Sequence, residues 1–197
     1  MVQDNLEIVS GLLALQAAKT ESTSAQAVMQ ASQNRVLSMG IIHQKLYQKG
    51  NLAAIEMKDY FENLGESILD TFNVADRIAI TCTMQLIELD VDTAVPLGLI
   101  ANELLTNALK YAFPGNIPGA IRLLLEKANE NGGLLFSVSD NGKVKPQNVP
   151  AEGTGFGTEL VNLLVQQLGG SLTTAINNRT IINIHFTYTK TQHGQPD

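Results

Sequence analysis

Three short stretches hold the residues able to do chemistry. In "ANELLTNALKYAF", residues 101–113, Glu103, Asn107 and Lys110 recur at i, i+4 and i+7. They therefore share one stripe of a helix, beside an apolar stripe of Leu97, Ile100, Leu104, Ala108 and Tyr111. In "GLLFSVSDNGKVKP", alternation places Leu134, Phe136, Val138 and Asp140 on one strand face, which ends where Asn141-Gly142 turns the chain. A carboxylate on an apolar face loses hydration unless a donor meets it. That donor is either the backbone of the following turn or the amine of a ligand. In "EGTGFGTELVNLLVQQLGG", Gly153, Gly155 and Gly157 precede an amphipathic helix with Leu160, Leu164 and Leu168 on one face. Glycines let a backbone approach closely, and the free N–H groups of a helix start attract phosphate. There is no G-x-x-x-x-G-K-[ST], so the stretch is not a P-loop.

Taken together, a helix with Glu103 and Asn107, a strand ending in Asp140-x-Gly142 and a glycine loop opening a helix resemble the Bergerat-fold ATPases. That group includes gyrase and the sensor histidine kinases. More narrowly, "NELLTNALKYAF" with the upstream "NRVLSMGIIHQKLY" and "DNLEIVSGLLALQA" resembles the sensor histidine kinases whose dimerisation hairpin is of the HisKA_2 type, from about Val2 to Phe186.

The resemblance implies ATP and Mg²⁺ as cofactors and assigns roles. Asn107 would give a side-chain oxygen to Mg²⁺, Glu103 would be the polar or general-base residue near the γ-phosphate, and Lys110 would offset phosphate charge. Asp140 would accept a hydrogen bond from the adenine amine, with Gly142 allowing close approach to the base. Amides around Gly155 and Gly157 would hold the phosphates while residues 143–156 close as a lid. Tyr111, Gly153 and Phe156 complete the implied nucleotide set. Such catalysis is mostly positioning and charge neutralisation, so few catalytic side chains are needed.

The elements that must position these residues fall in two blocks. Leu6, Val9, Leu13 and Ala17, widened by Ile8, Leu12 and Leu15, form one amphipathic helix. After "KTESTSAQ" a second runs from about Ala25 to Gln48, with Val36, Met39, His43 and Leu46 along a heptad-like seam. This hairpin must dock on the chain or pair with a copy of itself as a four-helix bundle. A third helix, Ile55 to Phe72, has Met57, Tyr60, Phe61, Leu64, Ile68 and Phe72 as its buried side. "RIAITCTM", "AIRLLLEKA", "LLFSVSD", "GSLTTAI" and "TIINIHFTY" read as strands. The expected fold is α+β: residues 1–50 as the hairpin, 51–190 as a Bergerat-type α/β sandwich with a mixed, largely antiparallel sheet, and 191–197 as a disordered tail.

Composition narrows the partners. A chain of 197 residues with 44% hydrophobic content can build a real core. Its net charge of -6 comes without a Lys/Arg run, which argues against nucleic acid. Any anionic ligand must then be held locally. Cys82 is alone, alternating with Ile78, Ile80 and Met84, and reads as a buried small apolar residue in a reducing compartment. "IVSGLLALQAA" is too short to span a bilayer, so no membrane contact and a cytoplasmic location are expected.

The reading has departures to absorb. In the family the acceptor histidine lies just before the segment that here begins at Val2, so self-phosphorylation in the usual way is not expected. His43 reads as a packed seam residue, His185 as a solvated strand residue alternating with Asn183 and Thr187, and His193 as part of the tail. Val144, Thr158 and Arg179 stand where the family's nucleotide boxes usually differ; if the Val144 position needs a positive φ, the β-branched residue there would weaken ATP binding without abolishing it. The expected function is the dimerisation and ATP-binding core of a two-component sensor histidine kinase, passing the γ-phosphoryl to a histidine and on to a response-regulator receiver domain. Alternatives are a non-catalytic phosphorelay adaptor or pseudokinase, and an anti-sigma-type serine kinase of the same fold.

Overall fold

The computed structural model describes Met29, Ser32, Val36 and Gly40 together with residues 54–129, 131–143 and 156–188. Those first four residues are helical and half-buried, at the spacing of one helix face. The rest of the expected hairpin, the tail, His43, His193, Val144, Gly153 and Gly155 lie outside the described residues.

Helix α1, Met57–Phe72, starts where the Glu56 carboxylate accepts from the N–H groups of Lys58 and Asp59, satisfying two donors that a helix start leaves open. It ends at Asn73, whose φ of 51° takes the left-handed cap conformation. Met57, Tyr60, Phe61, Leu64 and Ile68 are its buried side, while Phe72 is half-buried at the core's edge. The helix begins two residues later than expected. Ile55–Glu56 instead form β1, paired antiparallel with β3, Glu88–Leu89.

All five strands expected from alternation are present: β2 Ile78–Met84, β4 Gly119–Lys127, β5 Gly133–Asp140, β6 Ser171–Ile176 and β7 Thr180–Thr187. They form one sheet in the order β2-β4-β5-β7-β6, with β2 and β4 parallel and the other neighbours antiparallel. The mixed sheet of an α+β fold is therefore observed. Register sets which face is covered. Leu125, Phe136 and Ile184 form one fully buried cross-strand row, and Leu123, Val138 and the half-buried Ile182 form the next.

Helix α2, Val91–Tyr111, is capped by Asp90, whose carboxylate accepts from Thr93 N–H at 2.9 Å. It is buried almost all round between Ala94 and Leu109, as befits a helix packed between other elements rather than on a surface. Helix α3, Phe156–Gln167, buries Val161, Leu164 and Val165. The core is a single cluster from Ile55 to Phe186, in which Phe61 of α1 stacks on Phe136 of β5 with centroids 5.2 Å apart.

Candidate functional site

Asp140 is the last residue of β5, and register puts it in a cross-strand row with Ile80, Ile121, Thr180 and Ile176. The expected alternation holds, and the carboxylate sits on the buried face with only 8% of its surface exposed. Its Oδ1 accepts from the Gly142 N–H at 3.0 Å, and the Thr180 hydroxyl donates to it as well. Burial pushes the carboxyl above its ordinary range, and these two hydrogen bonds act in the opposite direction. Thr180 was not among the expected site residues. Its alternation with Ile182, Ile184 and Phe186 was the available signal.

The turn after Asp140 is clamped on both sides. Asn141 accepts from Ala120 N–H through its side chain at 2.8 Å, and its own N–H donates to the Ala120 carbonyl at 3.2 Å. Lys143 N–H donates to the Ala112 carbonyl at 2.8 Å, which ties this turn to the end of α2. Gly142 lies so close to that helix end that a Cβ there would sit 2.4 Å from the Ala112 carbonyl oxygen. Within the protein, then, the close approach that Gly142 permits is to α2.

The polar stripe of α2 is graded in exposure. Glu103 is 6% exposed, Asn107 and Tyr111 are half-buried and Lys110 is open to solvent. Two further polar residues of the same helix are deeply buried, Asn102 at 2% exposed and Thr106 at 6%. The Thr106 hydroxyl, one turn from both Glu103 and Lys110, has no hydrogen-bond partner among the described residues. Polar residues inside an otherwise apolar helix were the sequence signal, and Thr106 was missed because a lone Thr among leucines carries none.

Glycine 157 opens the first full turn of α3, and a Cβ on it would meet Glu103 Oε2 at 2.7 Å. The carboxylate therefore lies against the start of that helix, where the helix dipole favours negative charge. The three expected pieces meet through α2: Gly142 after Asp140 at its C-terminal end, and Gly157 against Glu103 within it. Phe156 is the first residue of α3. Thr158 is exposed on α3, and Arg179 is exposed in the β6–β7 turn.

Among the described residues no group of three or more His, Cys, Asp or Glu could hold a metal. The Cys82 thiol is half-buried and pushed up to about 11, by burial first and by Glu62 second, which favours the neutral thiol over the thiolate at neutral pH. A groove of about 820 Å³ opens at the other end of the sheet, beside Leu86, Lys127, Leu134 and Tyr188, and no stripe residue lines it. No helix among the described residues is long and apolar enough to cross a membrane.

A helix-covered mixed sheet with this polar helix is the fold of the histidine kinase-, DNA gyrase B- and HSP90-like ATPases, and residues 92–190 match that family. Residues 2–72 match the histidine kinase family HisKA_2, and the chain belongs to the sensor histidine kinases that carry both parts. It is 29% identical over 174 residues to sensor histidine kinase PdtaS of Mycobacterium tuberculosis, covering 87% of this chain and 34% of that protein. It is 26% identical over 190 residues to blue-light-activated histidine kinase 2 of Erythrobacter litoralis, covering 93% of this chain and 54% of that one. The chain thus spans between a third and about half of these relatives. The histidine kinase domain of the Erythrobacter litoralis EL346 blue-light-activated kinase shares the fold with a TM-score of 0.70 at 25% identity, covering 93% of this chain and 94% of that one.

Proposed function

We propose that this chain is the dimerisation and ATP-binding core of a two-component sensor histidine kinase, and that its substrate is Mg-ATP bound between α2, the end of β5 and the start of α3. The observation that carries the reading is the buried carboxylate of Asp140 at the rim of the sheet, on the covered face and joined by its turn to the C-terminal end of α2. A carboxylate so placed can accept from an exocyclic amine of a base. Along α2, Asn107 holds Mg²⁺, Glu103 stands near the γ-phosphate, and exposed Lys110 offsets phosphate charge. When bound, Mg²⁺ neutralises the charge on the transferring phosphoryl. Tyr111, Gly153 and Phe156 belong to the same nucleotide set, and amides around Gly155 and Gly157 hold the phosphates. With a chain charge of -6, the anion must be held by these local donors.

The reaction is transfer of the γ-phosphoryl of ATP to a histidine imidazole, with ADP leaving, and then to an aspartate of a receiver domain that docks on residues 1–50. That segment pairs with its copy as a four-helix bundle, and the protein works in the cytoplasm. Isothermal calorimetry with Mg-ATP tests the site and separates a kinase from an adaptor that has lost the nucleotide. Asn107→Ala should abolish Mg-dependent binding, and Asp140→Ala should weaken the preference for adenine over guanine nucleotides by roughly tenfold or more. Unchanged affinities in both variants would remove the cleft.

A further inference from the structure

The contact between Glu103 and the start of α3 has a consequence for how the acid is aimed. Glu103 is buried in the middle of α2, and its Oε2 occupies space that any side chain at position 157 would claim, 2.7 Å from a Cβ there, with Cδ at 3.9 Å. The atom in conflict is the far end of a flexible side chain and not backbone. A methyl group at 157 would therefore leave the fold standing and push the carboxylate aside. Gly142 is the contrast, since there a Cβ meets the Ala112 backbone itself.

We propose that Gly157 is a positioning residue for Glu103: its missing side chain leaves the seat that fixes where the carboxylate points, so the start of α3 sets the aim of an acid carried by α2. This rests on the nucleotide reading above. It deepens that reading by separating two properties of one glycine, an N–H available to phosphate, which alanine keeps, and a vacancy for the acid, which alanine fills. Misplacing a catalytic group by about 1 Å costs up to about a hundredfold in rate while ground-state binding is spared.

The test is a double-mutant cycle on the full chain with Gly157→Ala and Glu103→Gln. Gly157→Ala should leave the melting temperature within about 2 °C of wild type. It should hold the Mg-ATP dissociation constant within about threefold and lower the hydrolysis of Mg-ATP to ADP and phosphate, with water accepting the γ-phosphoryl, by roughly ten- to a hundredfold. In the Glu103→Gln background the same substitution should add little, because the charge it displaces is gone. Equal losses in both backgrounds, or undiminished turnover in Gly157→Ala, would overturn the role.

A second measurement is independent of nucleotide. The Gly157 amide resonance should move in Glu103→Gln while that of Gln166, at the far end of α3, stays in place. No movement at Gly157 overturns the contact whether or not ATP binds. A wild-type chain that fails to bind Mg-ATP overturns the parent reading and the positioning role with it, leaving the amide shift to report the contact alone.

Discussion

Asp140 illustrates at residue scale how a site competes with stability. Burial raises its carboxyl above the ordinary range, more than the hydrogen bonds from Gly142 and Thr180 lower it. An acid whose value is higher folded than unfolded holds its proton more tightly in the fold. Its contribution favours folding below the ordinary carboxylate range and is lost as pH rises through the raised value. Asp140→Asn removes that loss, so the variant should gain stability relative to wild type between the ordinary carboxylate range and neutrality. Melting temperatures of both proteins across that interval check this, and parallel curves would contradict it. A second residue carries a cost with no counterpart at the site. The Tyr60 hydroxyl is fully buried, has no hydrogen-bond partner among the described residues and points at Gly98, where a Cβ would lie 1.9 Å away. Tyr60→Phe keeps the ring and deletes the orphaned group, and urea unfolding should show a gain of about 1 kcal/mol.

At the scale of elements, the site depends on how the end of β5 meets the end of α2. Gly142→Ala would drive a Cβ to 2.4 Å from the Ala112 carbonyl oxygen, and no side-chain rotation relieves a clash with backbone. The strand end must move or the Lys143–Ala112 hydrogen bond must break, so denaturant unfolding should show a loss of about 1–3 kcal/mol. An equally stable variant would mean that the two elements are not locked together. This juncture also marks the limit of what the sequence discloses. The five sheet strands were legible because alternation is a local property, and the same alternation placed Asp140 on the covered face. The two-residue strands β1 and β3 were not, since two residues cannot display a period. The glycine after Asp140 was legible as a turn residue, but its need to clear Ala112 depends on a contact thirty positions away. Likewise, Glu103 and Gly157 were each readable as site residues, and only the fold shows that one fills the space the other leaves.

At the scale of the molecule, residues 54–129, 131–143 and 156–188 account for one continuous core, from Ile55 in β1 to Phe186 in β7. The described elements that position the proposed cleft, α2, β5, β7 and α3, lie in that body. Helix α1, which opens it, has its own start signal in the Glu56 carboxylate and packs through Phe61 onto Phe136, so its place in the fold is fixed from within the body. A chain of residues 51–197 should therefore unfold cooperatively and keep its Mg-ATP affinity within about threefold, or less than 1 kcal/mol, of the whole chain. If residues 1–50 form the dimerising bundle, the same truncation should convert a dimer to a monomer. Sedimentation of both chains alongside calorimetry separates the outcomes. A shortened chain that stays dimeric places the self-association surface on the ATPase body. One that loses nucleotide binding while remaining folded makes the hairpin part of the cleft.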